Sequence, residues 1–215
     1  MSRVLRTVAA IGALVAANVV AGRLITGPLR DLPVEHRLNH DLRRRGGDRA
    51  ERLAHAVSRS SDTSRAIGVG VGLTAVLLAA GRRHEAMVPG LAMALASATH
   101  VSSSALVGRP RPAVERLGTH QPTSSFPSGH VGAMTALAVA LGRAAGPLPA
   151  PLRVTARAGL VGYLALLGWS RLYNGQHYAS DVLAGYANGL LCGGLALRAS
   201  RATPGRPEEG PAVRR

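Results

Sequence analysis

The run Ala86–Val107, AMVPGLAMALASATHVSSSALV, holds 22 residues without a charged side chain. A bilayer core of about 30 Å needs about 20 helical residues to cross it. This stretch therefore predicts a membrane span, and the rest of the chain is read outward from it. Five more apolar stretches surround it: Thr7–Gly22, Ala66–Gly81, Val131–Leu148, Val154–Trp169 and Val182–Leu197. Several are short, so flanking Arg side chains must snorkel to the interface. The fourth, broken by Arg143 and Gly146-Pro147, is the weakest. The expected fold is all-α: an integral membrane six-helix bundle. In the last stretch Gly185, Gly189 and Gly193 recur at every fourth residue, a small-residue stripe that favours close helix contact.

Composition fits this picture. Of 215 residues, 47% are apolar but only 3% aromatic, so the bulk is Ala, Leu, Val and Gly. The net charge of +15 would suit a nucleic-acid partner, but the 26 basic residues are all Arg, a bias that codon usage in a GC-rich genome explains, and none is expected. Cys192 stands alone in an apolar run, which leaves no disulfide framework or zinc site and predicts inert packing. The amino-terminal MSRVLRTVAAIGALVAANVVAGR has the outline of a signal peptide but a poor cleavage site, and is read as a retained first helix.

A polar segment, 28–65, joins the first two spans. Within it Ala50, Leu53, Ala54 and Val57 have helical spacing, which predicts a short amphipathic helix lying on the membrane. Arg43-Arg44-Arg45 is expected to be a solvated turn, and Asp62 to cap the second span. One membrane domain is expected over residues 1–200, with a disordered Arg-rich tail over 201–215. With the amino terminus inside, the cytoplasmic pieces hold 12 Arg and the outer pieces 14, so charge does not fix orientation. Once the long loop is discounted, the short pieces favour both ends inside.

Helix parity brings four boundaries to one membrane surface: the ends of spans three and five and the starts of spans four and six. Three polar clusters sit there: GRPRP (Gly108–Pro112), FPSGH (Phe126–His130) and WSRLYNGQHYASD (Trp169–Asp181). Singly they have plain readings, as interface anchors, a helix cap and a turn. Converging at a membrane surface, they predict a functional site. His177 and Asp181 are four apart, so on a helix the carboxylate reaches one imidazole nitrogen and leaves the other as nucleophile or base. The Asn174-Gly175 turn folds Arg171 back toward that ring. Arg109 and Arg111 add planar guanidiniums that match phosphate oxygens. The amides of Ser128 and Gly129 open the fourth helix, where anions bind. Together these residues point to phosphoryl chemistry without a metal or other cofactor.

With these clusters the sequence resembles the type 2 phosphatidic acid phosphatase family, which includes the vanadium haloperoxidases. The family's motifs are Lys, six residues, Arg-Pro; then Pro-Ser-Gly-His; then Ser-Arg, five residues, His, three residues, Asp. The second is intact at Pro127–His130, and the third as Ser170-Arg171, His177 and Asp181, with context from 86 to 197. The first is damaged: its Lys position is Ser104 if Arg111-Pro112 is the pair, the preferred register, or Ser102 if Arg109-Pro110 is. Arg109 or His100 would have to supply the missing charge. The resemblance implies that His177 attacks phosphorus, that Asp181 orients it and that His130 is the acid and base. It implies that Arg111, Arg171, the Ser128 side chain and the Gly129 amide hold the phosphate. The expectation is a multi-pass cell-membrane enzyme with an extracytoplasmic site, hydrolysing a lipid phosphate: a polyprenyl diphosphate, phosphatidate or phosphatidylglycerol phosphate. The alternatives are a lipid phosphotransferase using the same phosphohistidine, or a weakened lipid-phosphate binding protein.

Overall fold

In the structure, a computed structural model, residues 3–29, 32–118 and 122–201 are described, and every regular element among them is a helix. These are α1 (Arg3–Thr26), α2 (Pro33–Arg45), α3 (Asp48–Ser60), α4 (Thr63–Ala79), α5 (Arg83–Ala86), α6 (Val88–Val107), α7 (Gly129–Ala144), α8 (Ala150–Tyr173) and α9 (Ala179–Arg201). The chain is an all-helical membrane bundle. Its six apolar stretches become α1, α4, α6, α7, α8 and α9, but six is not the span count that length and composition support. Among the described residues Leu5–Thr26, Arg83–Val107 and Ala179–Arg201 are long and apolar enough to cross a membrane. A fourth span results if α3 and α4, bent by 54° at their junction, are taken together. Helix α7, with 16 residues, rises only about 24 Å, and Arg153 and Arg157 interrupt the first half of α8.

Helix α7 is the hub, packed against α6, α8 and α9. The core around it is built of small side chains: Ala92 and Ala96 of α6, Ala136 and Ala140 of α7, and Cys192 and Ala196 of α9. Lipid offers no hydrophobic drive for helices to associate, so close van der Waals packing must hold them. The glycine stripe does this as expected. A Cβ on Gly189 would lie 2.5 Å from the Gly132 carbonyl oxygen, and one on Gly185 2.8 Å from that of Ser128. On the outside the pattern inverts: Val161, Leu183 and Val76 are 67%, 66% and 64% exposed, as suits a surface solvated by acyl chains. Buried Asn18 of α1 donates to Asn188 of α9 at 3.0 Å, a polar link between helices. Cys192 is fully buried, its Sγ 3.7 Å from Thr99 Oγ1, which agrees with a packing role.

The 28–65 segment departs from expectation. It forms two helices, α2 and α3, and both pack on α8. Ala54 and Val57 turn toward α8, while Leu53 stays exposed. Hydrogen bonds fasten the cap: the Asn174 side chain donates to the Ala54 carbonyl at 3.2 Å, and Ser60 and Tyr163 hydroxyls pair at 2.9 Å. The apolar stripe of α3 thus has a protein partner. Arg43–Arg45 form the last turn of α2 and not a separate turn; Arg43 lies over the Tyr173 ring at 5.4 Å and 3.8 Å from Glu115. Asp62 occupies the N-cap position of α4 but makes no capping hydrogen bond, because its carboxylate faces Arg65 at 3.4 Å. Residues 202–215, most of the expected tail, lie outside the described residues.

Candidate active site

Two segments at one end of the bundle build the site: residues 108–118 and 122–128 between α6 and α7, and 174–178 between α8 and α9. Gly108, at φ 69°, ends α6 in the left-handed region and turns the chain inward. Arg109 then enters the core. It pairs with Asp181 at 2.7 Å and Glu35 at 3.0 Å, donates to Ser180 Oγ at 2.8 Å and lies 4.1 Å over the Tyr178 ring. Burial works against its charge, but Asp181 and Glu35 outweigh that and hold its pKa above the ordinary arginine value. Arg109 is therefore committed to bracing the two loops and α2.

Arg111 takes the other path. Its Nη1 donates to the Gln176 carbonyl at 2.6 Å and its Nη2 to that of Thr123 at 3.2 Å, while its buried Nε has no partner. Arg171, in the last turn of α8, donates from Nη1 to Ser58 Oγ at 2.7 Å, and its Nε and Nη2 are also buried without partners. Helix α8 runs on to Tyr173, past the expected end at Trp169, and so carries Arg171 on a rigid element. The next turn folds as predicted: Gly175 has φ 63°, and the His177 amide returns to the Arg171 carbonyl at 3.3 Å.

His177 is 1% exposed. Its Nδ1 donates to the Ser125 carbonyl at 2.8 Å, since a carbonyl can only accept, and this leaves Nε2 unprotonated. The expected hydrogen bond to Asp181 is not formed. Asp181 Oδ2 stands 3.7 Å from Nδ1, an electrostatic contact, because the carboxylate is occupied by Arg109, the Tyr178 amide at 2.7 Å and the Ser125 hydroxyl. Burial, aided by the charges of Arg171 and Arg111 and only partly offset by Asp181, pushes the pKa of His177 down to about 4. The ring is thus a neutral base at neutral pH.

At the start of α7, the Ser128 amide donates to the Asp181 carbonyl at 2.9 Å, so that amide is not free for an anion as its position implied. The buried Ser128 Oγ has no partner, and the Gly129 amide, first in the helix, has none within it. The rings of His130, His177 and His100 and the Arg111 guanidinium line one end of a cavity of about 570 Å³. From there it runs as an apolar groove between α4 and α6, past Ala66, Ile67, Gly70, Met93 and Ala94. A separate hollow of about 670 Å³ on α3, lined by Arg52, His55, Arg59 and Arg65, contains none of these site residues.

The structure brings His130, His177, Arg111 and Gly129 around one space, with Asp181 3.7 Å from His177. Ser128 and Arg171 are not in its lining, Ser128 preceding Gly129 in the chain and Arg171 acting on His177 through its charge. Ser104 is not part of it. Its Oγ lies 2.9 Å from Ser124 Oγ and accepts from the Ser124 amide at 2.9 Å, while Ser102 is exposed. Sequence reasoning missed three supports. Glu35 accepts from Arg109 and from the Ser180 amide at 2.5 Å; Asn39 donates to the His177 carbonyl at 3.1 Å; Ser58 holds Arg171. The four-residue spacing of Glu35 and Asn39 was the available signal, but it is common on solvated helices.

A family model described as the PAP2 superfamily matches residues 85–203. Decaprenylphosphoryl-5-phosphoribose phosphatase of Mycobacterium tuberculosis is 38% identical over 117 residues, which is 53% of this chain and 60% of that protein. The chain thus spans less than two thirds of this relative's length. A transmembrane PAP2-type phosphatidylglycerolphosphate phosphatase from Bacillus subtilis superposes with a TM-score of 0.74 at 18% identity, covering 96% of this chain and 100% of that one. Aquifex aeolicus LpxE superposes with a TM-score of 0.63 at 22% identity, covering 77% of this chain and 95% of the other. The two solved structures share its helical fold, and with more than half its length matched by the family model, this chain belongs to the PAP2 superfamily.

Proposed function

We propose that the protein is a membrane lipid phosphatase that hydrolyses a terminal phosphate through a phosphohistidine at His177. One observation carries this reading. Arg111, whose buried Nε has no partner, lines a cavity with three imidazoles. Further buried donors without partners lie close by: Ser128 Oγ, next in the chain to the cavity-lining Gly129, and Arg171 Nε and Nη2, whose charge acts on His177. Burying such groups unpaired costs about 1–3 kcal/mol each, more when charged, so the site is built for an anion that supplies oxygens.

In the first step the Nε2 lone pair of His177 attacks phosphorus and the bond to the leaving oxygen breaks. His130, as imidazolium, gives that oxygen its proton. In the second step neutral His130 takes a proton from water, the oxygen attacks phosphorus, and the bond to His177 breaks to release inorganic phosphate. Arg111, Arg171, Ser128 Oγ and the Gly129 amide bind the equatorial oxygens as charge builds. Asp181 stabilises the positive ring of the intermediate across 3.7 Å. The groove between α4 and α6 receives the lipid tail, while α2 and α3 cover the residues of the site. The sugar-phosphate lipid named for the mycobacterial relative favours a polyprenyl-linked phosphate monoester over a diacylglycerol phosphate. The domain extends over residues 1–200, in the cell membrane with its site outside.

The test is phosphate release from a panel of lipid phosphates by detergent-purified wild type and His177→Ala. Release from a polyprenyl phosphosugar, abolished in the variant, is expected. Lipid bound by both without release would leave a binding protein. Transfer to an added lipid or sugar acceptor in excess of release to water would make it a phosphotransferase.

A further inference from the structure

Three imidazoles line the cavity, and the chemistry above gives no task to His100. It sits on α6 one helical turn before Ser104. Side chains on a helix lean toward its N-terminus, so a lysine at the Ser104 position would reach back over His100. Ser104 itself is engaged with Ser124 in the loop and does not line the cavity. The helix face that the family motif expects to deliver a cation therefore delivers an imidazole, one turn earlier.

The orientation of that ring is fixed. His100 Nδ1 is 2.9 Å from the Pro127 carbonyl, which can only accept, so Nδ1 carries the hydrogen and Nε2 is open. The open edge lies against the start of α7: a Cβ on Gly129 would stand 2.8 Å from both Cδ2 and Nε2 of His100. This is where the amide of Gly129 and the Ser128 hydroxyl await phosphate oxygens. The charged and titratable groups that share the space are Arg111 from the α6–α7 loop, His130 from α7 and His177 from the α8–α9 loop. Arg171 adds its charge from α8. Arg109, the other residue that might have replaced the lysine, is paired with Asp181 and Glu35.

We infer that His100 is a phosphate-binding residue whose Nε2, protonated as the substrate enters, donates to a phosphate oxygen beside Gly129 and replaces the lysine absent at Ser104. The proton comes from the monoanionic phosphate: its O–H bond breaks as the Nε2–H bond forms, the phosphate is left dianionic, and no bond to phosphorus changes. This inference rests on the phosphatase reading. It predicts a site whose affinity for phosphate depends on pH where the lysine-bearing form would not.

The experiment compares wild type, His100→Gln and His100→Gln with Ser104→Lys for KM, kcat and inhibition by orthophosphate between about pH 6 and about pH 8, where imidazole titrates. In His100→Gln, KM and the orthophosphate inhibition constant are expected to rise about tenfold or more, as for loss of a charge-assisted hydrogen bond. Both should lose part of their pH dependence, and Ser104→Lys should recover part of the affinity. An active wild type with KM and pH profile unchanged in His100→Gln overturns the inference, as does a loss confined to kcat. If wild type releases no phosphate, the phosphatase reading falls. Calorimetry with orthophosphate then still decides: equal affinity in wild type and His100→Gln overturns the role of His100. Should His100→Gln not fold, wild type alone suffices. Orthophosphate affinity that stays flat over this range, after allowance for the ligand's own ionisation, overturns it.

Discussion

The nucleophile proposed at His177 needs its lone pair at working pH, and burial supplies it. An unfolded histidine titrates near 6.5, and His177 in the folded protein near about 4. Between those values the unfolded chain binds the additional proton, so stability rises with pH across the window. The contribution is fully present above about pH 6.5 and is lost as pH falls toward about 4, amounting to roughly 3 kcal/mol. The midpoint of thermal unfolding in detergent should therefore fall as pH is lowered from about 6.5 to about 4, and fall less in His177→Gln. Parallel curves for the two proteins would refute this account of the ring. The convergence of the candidate residues was legible in the sequence because three polar clusters stood at boundaries that helix parity brings together. The partner of Nδ1 was not. It is the carbonyl of Ser125, 52 residues away, and a backbone oxygen leaves no trace in side-chain spacing. Arg111 was preferred over Arg109 only through the family resemblance, for a similar reason. The left-handed turn at Gly108 sends Arg109 into the core and lets Arg111 reach the cavity.

Between elements, the α7–α9 contact sets the geometry of the site, since α7 carries His130 and α9 carries Asp181. The Ser128 amide donating to the Asp181 carbonyl ties the two helix starts together. Gly189 lies lower on the same seam, where an added Cβ would meet Thr135 Cβ at 2.4 Å and the Gly132 carbonyl oxygen at 2.5 Å. Neither neighbour is the flexible end of a side chain, so Gly189→Ala must part the helices. It should cost about 1–3 kcal/mol, as overpacking does, and should lower both the unfolding midpoint and phosphatase activity. Gly194, on the same helix, has nothing within 4 Å of its Cβ position, and Gly194→Ala should leave both unchanged. Equal effects from the two substitutions would mean that the seam is not what holds α7 to α9. The glycine spacing was visible in the sequence because a four-residue period marks one helix face directly. Of the cap, only α3 was visible, as helical potential; α2 was not. An amphipathic stripe suits a membrane surface as well as a protein partner, and what decides is the face of α8 that it meets.

Across the whole molecule, the site lies at one end of the bundle beside the α2–α3 cap, and an apolar groove runs from it between α4 and α6, the path proposed for the lipid tail. The cap also explains why counting Arg residues failed to orient the chain. Its charges serve a folded unit: Arg43 contacts Tyr173 and Glu115, and Arg65 contacts Asp62. Charge bias orients helices through short loops, whereas long folded segments cross largely regardless of charge. With the cap set aside, Arg82, Arg83, Arg143, Arg153 and Arg157 lie in or beside the α4–α5 and α7–α8 turns, which supports the proposal that this end is inside and the site outside. Labelling tests this proposal, because the two ends carry suitable positions. Glu115, its side chain 85% exposed, lies in the α6–α7 loop at the site end, and Leu148, 41% exposed, lies in the turn at the other. Cys192 is fully buried and can be replaced by Ala to remove background. In spheroplasts, a membrane-impermeant maleimide should label Glu115→Cys and leave Leu148→Cys untouched until the membrane is broken. Labelling of Leu148→Cys alone would put the site in the cytoplasm, where the substrate would have to be a lipid phosphate of the inner leaflet.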